Sequence, residues 1–517
     1  MSMIRKALAS VGTAVTAAAL VVIAGPPAQA SQDGVNSGTV SSTWQTNAPV
    51  WDLAYANGAV YAAGEFTSVR PPGAAAGTQE TARRYLAAFD SSSGALLPFN
   101  HTFNVRPRVL ATSPDGSVLY VGGDFTQVDG QPAGRLVAFS TATGNRITAF
   151  APQPAAAVTA ITASSGTVWF GGSFGRVNNT PRQRLAAVRA ADGGLLPWNP
   201  GADGVVYTLS SSADGGKVYA GGGFSTLAGA ARRAVGALDG TSGAGLPFAA
   251  GSAMPPVTNG CTSVVRDSVI ASGVVYFGAE GTGGGCFDGT FAASVSSGNL
   301  IWKNTCLGGT QSVEVVRGWL YKGSHAHDCA RQNAYNDPDA FPQVPESSSR
   351  HLLAQRLDNG FLGPWYPNTN AGVGGLGPRT MTTDGTNLWV GGQFTSVNKR
   401  AQVGLARFAP TPDSPPARPA APTLVSSSGT SVQMRVTVPL DLDNTDLRVR
   451  LYRDGSSTPV ATSPVQHVLF WRQPVVVLTD SGLTPGSTHT YRVDVVQADE
   501  NASSTLSPAS VPVVVGG

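Results

Sequence analysis

The sequence has little charge, few cysteines and no long apolar segment after its N-terminal region. Charged residues make up 13% of its 517 residues and the net charge is +3, which excludes the basic surface typical of proteins that bind nucleic acids. No later segment is long and apolar enough to span a bilayer, so we expect no membrane span. The chain contains no H-E-x-x-H or phosphate-binding loop motif. Its 63 glycines and 36 prolines favour a turn-rich chain of β-strands.

The N-terminus predicts a secretory signal peptide. Arg5 and Lys6 precede an apolar, alanine-rich run at 14–24, and Ala28-Gln29-Ala30 provides a small-residue cleavage site. The run is short for a membrane anchor. We therefore expect residues 1–30 to be removed after Ala30 and the mature protein to be secreted. All four cysteines lie in the mature chain, which fits an oxidising compartment.

Aromatic residues mark seven copies of one repeat. The run LWVGGQFTSV at 388–397 recurs as LYVGGDFTQV at 119–128 and as VWFGGSFGRV at 168–177. A β-branched or aromatic run that stops at paired glycines is typical of a strand that ends where backbones approach closely. The units are about fifty residues long, and this spacing indicates stacked supersecondary units. The marking residues are Tyr61, Tyr120, Trp169, Tyr219, Tyr276, Tyr321 and Trp389.

Each unit predicts four antiparallel strands, so the seven units over residues 31–410 predict an all-β fold, a seven-bladed β-propeller. The seventh unit stops at Phe408-Ala409-Pro410 without a fourth strand. A matching aromatic stands alone at Trp44, so we expect the N-terminal segment to supply the missing strand and close the ring. Closure would also remove an exposed sheet edge.

A second domain is predicted after the propeller. Residues 411–418 are rich in proline and predict a semi-rigid linker. Within residues 419–517, the run LTPGSTHTYRVDV closely resembles the fibronectin type III family. That resemblance implies a β-sandwich in which Tyr491 forms a corner with upstream backbone. Val436 stands where the family has a tryptophan, which implies altered core packing.

The propeller repeat also resembles known families. Gly-Gly-x-Phe-Thr-x-Val, followed by RLVAF at 135–139 and by Thr143-Gly144, is similar to delta-60-type and polarity-marker-type β-propeller repeats. It is also similar to secreted actinobacterial propellers that carry PKD, lectin-like or fibronectin modules. The resemblance implies fold and export, but no activity, because those families are largely without an assigned one.

The long loops all belong to one face of the predicted propeller. Connections between blades, and between second and third strands, share that face, and binding sites are usually built on such loops. The cysteines lie in the same loops and predict the disulfides Cys261–Cys286 and Cys306–Cys329. Four cysteines allow three pairings, and a metal site is the rival interpretation. The long insertions are residues 70–82, 249–260, 281–290, 325–350 and 366–378.

The residue between the glycine-pair position and the phenylalanine position varies from repeat to repeat. Repeat equivalence places these seven residues near the mouth of the central channel. There they can bind a cation or a polar ligand, or they can hydrogen-bond to loop amides. They are Glu65, Asp124, Ser173, Gly223, Glu280, His325 and Gln393.

The sixth repeat departs furthest from the pattern. His325 and His327 alternate on an extended segment, which places both imidazoles on one side, as in metal sites. With Asp328 they are candidate ligands for zinc or calcium. The alternative is that the histidines only pack against the neighbouring disulfide.

Taken together, the sequence predicts an exported, monomeric, non-catalytic binding or scaffold protein. The loop-rich rim would engage a glycan, another cell-envelope component or a protein, and the C-terminal domain would act as a spacer. Tyr366, Asn368 and Asn370 are candidates for stacking on a sugar and reading its hydroxyls.

The alternative function is that of an extracellular polysaccharide-degrading enzyme, a glycosidase or lyase. Glu65, Asp124 and Glu280 would then be its acid, base or nucleophile. A retaining glycosidase needs two carboxyls about 5 Å apart, and an inverting one about 6.5–9.5 Å.

Overall fold

The computed structural model describes residues 34–255, 262–282, 286–330, 337–372, 374–410 and 413–516. The predicted signal peptide and Cys261 lie outside these ranges. The described part is all-β, as predicted, with two single-turn 3₁₀ helices at Ala249–Ala253 and Glu346–Ser348 and no α-helix. No helix in this part is long and apolar enough to cross a membrane.

Seven antiparallel sheets follow one another along the chain, and we number them 1 to 7. Each sheet has three strands joined in sequence. The first strands are Val50–Ala56, Pro107–Thr112, Val158–Ala163, Val206–Ser211, Thr262–Ala271, Thr310–Val316 and Pro378–Thr383. The second strands are Ala59–Gly64, Val118–Gly123, Thr167–Gly172, Lys217–Gly222, Val274–Thr282, Trp319–Ala326 and Leu388–Gly392. The third strands are Leu86–Asp90, Leu136–Ser140, Leu185–Arg189, Val235–Asp239, Gly289–Ser294, Arg350–Arg356 and Leu405–Phe408.

The fourth position of the sheets varies. Sheets 4 and 5 have a fourth strand, Gly245–Leu246 and Leu300–Thr305 respectively. In sheets 1, 2, 3 and 6 a single bridge to the third strand replaces it. These bridges are made by Leu96, Arg146, Leu195 and Leu362.

Short hairpins, which the repeat pattern did not predict, follow several of the glycine pairs. In sheet 2 the turn residues Asp129 and Gly130 have φ of 50° and 74°, as two-residue hairpin turns require. The hairpins are Gln127–Val128 with Gln131–Pro132, Arg176–Val177 with Thr180–Pro181, Thr226–Leu227 with Ala230–Ala231, and Ser396–Val397 with Arg400–Ala401. In sheet 1, Ser68–Arg70 pairs with both Gln45–Thr46 and Thr81–Ala82.

The seven first strands surround a central channel. Neighbouring first strands contact each other in chain order, and that of sheet 7 contacts that of sheet 1, which gives a β-propeller-like fold. The glycine pairs permit this packing. A Cβ on Gly171 would lie 2.8 Å from the Cβ of Val206 in the next sheet, and a Cβ on Gly391 would lie 2.6 Å from Cγ1 of Val50.

The N-terminal segment lies along the outer edge of sheet 7. The backbone N–H of Ser37 donates to the carbonyl of Ala409, and that of Ser41 donates to the carbonyl of Arg407, both at 2.8 Å. The pairing therefore involves residues 37–41 rather than Trp44, which was expected to mark the added strand. Trp44 instead packs against the core that contains Trp389.

Residues 419–516 form a C-terminal module of two sheets that share one buried core. One sheet contains Thr423–Ser428, Ser431–Thr437 and Val475–Ser481. The other pairs Asp446–Arg453 with Tyr491–Gln497, Ala461–Thr462 and Gln466–His467. A short pair, Thr488–His489 with Val513–Val514, completes the module.

Tyr491 is buried in this core, but its partner differs from the expected one. Its hydroxyl donates to Oδ2 of Asp480 at 3.0 Å, where the family resemblance implied upstream backbone. Asp480 also pairs with Arg453 at 3.0 Å, so a charged side chain takes the place of a carbonyl acceptor. Val436, at the position of the expected tryptophan, is buried in the same core.

Candidate functional site

A β-bulge near the start of every first strand reorients one side chain. The register between the first and second strands shifts at the same place in all seven sheets. Such bulges re-aim the extra residue. Together with Arg106, the seven extra residues line a cavity of about 210 Å³ at one end of the channel, and we call them the mouth ring. The mouth ring consists of Trp51, Arg108, Thr159, Tyr207, Arg266, Gln311 and Arg379.

Aromatic side chains hold three guanidinium groups at the mouth. Arg106 and Arg379 lie over Trp51, with Cζ 4.4 Å and 4.5 Å from the ring centroid. Arg266 lies 4.6 Å above the ring of Tyr207. Cation–π contacts of this kind contribute about 0.5–2 kcal/mol each. A stacked guanidinium keeps its planar set of N–H donors, so these arginines are positioned to recognise a polar ligand.

The three candidate catalytic carboxylates lie beside the mouth ring, and each one forms an ion pair with an arginine. The pairs are Glu65–Arg106 at 2.9 Å, Asp124–Arg108 and Glu280–Arg266. Burial alone would raise the pKa of Glu280, but the hydrogen bond and charge of Arg266 and the hydrogen bond from Gln311 outweigh it and lower the pKa. A general acid needs a raised pKa. The lowered pKa favours the ionised form and does not suit Glu280 to the acid role, whereas its expected role as base or nucleophile stays a prediction.

Three other carboxyl groups, which the sequence patterns did not single out, lie deeper in the channel. Burial raises the pKa of Asp52 to about 7, that of Asp267 to about 6 and that of Glu314 to about 8. Asp52 accepts a hydrogen bond from the N–H of Leu110 at 2.6 Å, and Asp267 accepts one from Val313 at 2.9 Å, so both join neighbouring sheets. These three carboxyl groups line a cavity of about 390 Å³ together with the mouth-ring residues Arg108, Arg266 and Arg379.

The other variable repeat residues make a backbone hydrogen bond within their own sheet. The N–H of the residue that follows the second strand donates to a carbonyl just before the first strand. Ser173 N–H donates to Ala157, and Gln393 N–H donates to Gly377, at 3.1 Å and 2.8 Å. Residues 171–175 match the letters G-x-S-x-G, but the chain continues into a hairpin. The strand-to-helix context of a nucleophilic serine is therefore missing.

The candidate metal ligands serve their own loop. Nε2 of His325 accepts a hydrogen bond from Gly309 N–H at 3.2 Å, and burial lowers the pKa of this imidazole. The backbones of His327 and Asp328 pair with that of Leu307. Within the described ranges, no three His, Cys, Asp or Glu residues are arranged to hold a metal ion. The zinc or calcium hypothesis gains no support from these residues.

Asn368 and Asn370 also hold loop backbone. Oδ1 of Asn370 accepts a hydrogen bond from Thr395 N–H at 2.8 Å, and the side-chain amide of Asn368 donates to the backbone of the preceding loop at 3.0 Å. Asn47 in sheet 1 and Asn104 in sheet 2 accept the equivalent hydrogen bond from a threonine N–H. These bonds give both asparagines a structural role, and the expected contact of their side chains with sugar hydroxyls stays a prediction.

The loop-rich rim of sheets 6 and 7 is covered by the C-terminal module. Phe341 packs on Phe470 and Trp471, with ring centroids 5.0 Å and 5.6 Å apart, and Arg350 lies 3.8 Å over Phe470. Tyr366, expected to be an exposed sugar-stacking residue, is fully buried against the same two aromatic rings. Residues from 34 onward form one compact unit, so the module is docked and is not a detached spacer.

The polar side of this junction contains a buried carboxyl. Oδ2 of Asp443 accepts hydrogen bonds from the N–H groups of Gly38 and Ser414, at 2.5 Å and 3.2 Å. Burial, with the nearby Asp441 adding to it, raises the pKa of Asp443 to about 7. Burial also raises the pKa of Asp413 to about 6, and the charge of Asp443 adds to this effect. Asp413, Asp441 and Asp443 therefore form a group of three carboxyls at the contact between the N-terminal segment and the module.

The predicted Cys306–Cys329 disulfide is confirmed, and it joins residues 23 positions apart. Both cysteines are buried in the cluster that contains Phe341 and Tyr366. Cys286 is also disulfide-bonded, whereas its predicted partner, Cys261, lies outside the described residues.

Replacing both Cys306 and Cys329 with serine should lower the free energy of unfolding by about 3 kcal/mol, because the open chain gains conformational entropy when unfolded. Differential scanning calorimetry of the full chain measures this effect. The double variant Ser296→Ala/Ser297→Ala, on an exposed turn of sheet 5, is the control and should melt like wild type. A cysteine variant that also melts like wild type would show that the bond does not stabilise the loop.

Comparison of the repeats by position would have revealed the mouth ring. In six of the seven sheets the member follows the first residue of the first strand, and Arg266 is the fifth residue of its longer strand. Five of the seven are aromatic or arginine, where neighbouring positions are mostly small or aliphatic. The glycine pairs are the more visible signal, and they directed attention to the residues after them. The bulge itself depends on strand register, which the sequence alone does not fix.

Comparison with known proteins adds the following. No protein-family model matches the chain, and no curated protein does. Among solved structures, the chain is similar to one chain of "Crystal Structure of Mitotic Checkpoint Complex", with 13% identity and a TM-score of 0.44 over 75% of this chain and 99% of that one. A similarity at this level carries no functional argument, so function must be argued from the site itself.

Proposed function

We propose that the protein is an exported, monomeric, non-catalytic binding protein whose mouth ring engages a glycan of the cell envelope or extracellular space. In this proposal the seven sheets are the blades of a seven-bladed β-propeller, and the C-terminal module is a fibronectin type III domain. The N-terminal residue pattern of a signal peptide supports export.

The convergence of the bulge residues on one cavity is the observation that carries the proposal. All seven sheets contribute a side chain to it, and each of these seven side chains carries an N–H or O–H group that can donate a hydrogen bond. Sugars present many hydroxyl groups, and a concave site with convergent polar groups is the arrangement expected for a small polar ligand. The carboxyl groups of Asp52 and Glu314 extend the polar wall inward.

The rim loops are less suited to this role than the mouth ring. The insertion that carries Phe341 and the segment that carries Tyr366 are buried under the C-terminal module. A protein partner at the rim would have to displace that module, whereas the residues lining the mouth cavity all come from the seven sheets and the segment leading into sheet 2. The mouth ring is therefore the favoured site.

A glycan array probed with the full chain tests this proposal. Wild-type protein should bind a subset of envelope-type oligosaccharides, and Tyr207→Ala should bind them at least about tenfold more weakly, because it removes a ring wall and the support of Arg266. Tyr85→Ala is the matched control, since Tyr85 also carries a stacked arginine, Arg84, at 5.2 Å but lies outside the mouth. Absence of glycan binding by wild type, or an equal loss in both variants, would refute the proposal.

A further inference from the structure

The charges at the mouth do not balance. Four guanidinium groups, those of Arg106, Arg108, Arg266 and Arg379, line the cavity. Three of them have a carboxylate partner in an ion pair, as described above. Within the described ranges Arg379 forms no ion pair, and its guanidinium donates a hydrogen bond to Oε1 of Gln311 at 3.4 Å. Among the residues that line the mouth cavity and their ion-pair partners, one positive charge is therefore left in excess.

Arg379 is also crowded by other cations. It shares the ring of Trp51 with Arg106, and the two Cζ atoms lie at nearly equal distances from its centroid. Burial lowers the pKa of Arg379, and the charges of Arg266 and Arg106 lower it further, while Glu280 opposes them only in part. Like charges in a partly desolvated site repel each other by more than they do in water.

An anion in the mouth would relieve this repulsion. A guanidinium binds carboxylate, sulfate or phosphate oxygens through two parallel N–H bonds, and such charge-assisted bonds are about twice as strong as neutral ones. Trp51 fixes the guanidinium of Arg379 in advance, so less side-chain entropy is lost when a ligand binds. A neutral sugar offers no compensation for the excess charge.

We infer that the mouth ring selects an acidic glycan, and that Arg379, supported by Trp51, binds its anionic group. This inference rests on the proposed glycan-binding function and adds the chemical class of the ligand. A carboxylate of a uronic acid, a sulfate ester or a phosphate ester would each supply the required charge. Arg379 is then the residue that determines specificity.

Calorimetric titration of the full chain with matched sugars tests the inference. The probes are oligogalacturonic acid and its methyl ester, and glucose 6-phosphate, glucose 6-sulfate and glucose. Wild type should bind at least one anionic probe at least about tenfold more tightly than its neutral counterpart, a ratio expected from one charge-assisted bond. Which anionic probe binds best identifies the source of the charge. The preference should weaken as salt is raised from about 0.05 to 0.5 M.

Variants locate the preference. Arg379→Gln should lose the tenfold preference for the anionic probe, and Arg379→Lys should recover part of the preference because it keeps the charge but not the paired donors. Arg400→Gln, on an exposed hairpin of sheet 7, is the control and should behave as wild type. Thermal melting checks the fold, and the comparison of probes on wild type does not depend on any variant.

Two outcomes overturn the inference in distinguishable ways. Equal affinity of wild type for anionic and neutral probes would refute acidic selectivity and leave the proposed glycan-binding function standing. Absence of binding to every glycan on the array and to all five probes would refute both.

Discussion

The double variant Phe470→Ala/Trp471→Ala should release the C-terminal module from the seven sheets. The two rings pack on Phe341 and Tyr366, and Phe470 also carries the guanidinium of Arg350. Truncating half-buried aromatic residues costs less than the 3–5 kcal/mol of fully buried ones, so we expect the pair to lose about 4 kcal/mol of docking free energy. Calorimetry should then resolve two transitions where wild type has one.

Limited proteolysis provides a second measurement of the same change. Asp413 lies in the segment that joins the two parts, and the neighbouring Ser414 hydrogen-bonds to Ser37 and Asp443. Endoproteinase Glu-C, which cuts after aspartate in phosphate buffer, should therefore cut after Asp413 faster when the module is released. Val475→Ala/Val477→Ala is the matched control, because both valines are about half exposed on the same module, at 54% and 48%. If the Phe470→Ala/Trp471→Ala variant is cut no faster than wild type and still melts in one transition, these rings do not hold the junction.

The second large effect is a loss of stability as the pH rises. The pKa of Asp443 is raised to about 7 in the folded protein, from an ordinary value near 4. Folding therefore favours the protonated form. The stabilisation from this group is complete below about pH 4 and is lost as the pH rises through about 7. At pH 8 we expect the ionised, buried carboxyl to reduce the free energy of unfolding by about 2 kcal/mol relative to pH 5.

Asp443→Asn should remove much of this pH dependence. An asparagine still accepts the bonds from Gly38 and Ser414, and it has no charge to bury. The variant should match wild type at pH 5 and unfold at a higher urea concentration at pH 8. His467 adds a smaller effect of the same sign, because its bonds to Asp446 and Asp339 outweigh burial and raise its pKa.

A control separates this junction from the rest of the protein. Asp52, Asp267 and Glu314 in the channel also have raised pKa values, so wild-type stability falls with pH for several reasons. Asp358→Asn, at an exposed position, should follow wild type at both pH values. If the difference between Asp443→Asn and wild type is the same at pH 5 and pH 8, the proposed origin of the effect is wrong.

Periodic features of the fold were predictable from sequence because their causes are local and repeated. Where a glycine pair ends a second strand, the first glycine meets the next sheet, as at Gly171 and Val206, and the second meets backbone at the entrance of its own sheet, as at Gly172 and Ala157. The same close contacts recur from sheet to sheet, so the glycines repeat in the sequence often enough to be recognised. Alternation in the C-terminal module, where Val432, Met434 and Val449 are all buried, is equally local.

Features that depend on contacts distant in sequence were not predictable. Tyr366 was expected to be exposed because it begins a rim loop that contains Asn368 and Asn370, but it is covered by Phe470, about a hundred residues later. Trp44 looked like the edge strand because it matched an aromatic position, but the backbone pairs several residues earlier, where Ser37 and Ser41 reach the edge of sheet 7.

The candidate site was found only in part for the same reason. Glu65, Asp124 and Glu280 were correctly placed near the channel mouth, because repeat equivalence fixes their position. Their ion pairs were not predicted. The arginines that pair with them come from two first strands and from the segment that leads into one of these strands. Only the register of the bulges brings those arginines into reach.

The position of the bound ligand is the most direct test of the proposal that the mouth ring binds an acidic glycan. The measurement is a crystal structure of the full chain with the oligosaccharide that is bound most tightly on the array. We predict that the sugar lies within the mouth ring, with its anionic group at hydrogen-bonding distance from Arg379 and its hydroxyls near Tyr207 and Gln311. A sugar bound only at the rim loops or on the C-terminal module, with the mouth ring unchanged, would contradict it.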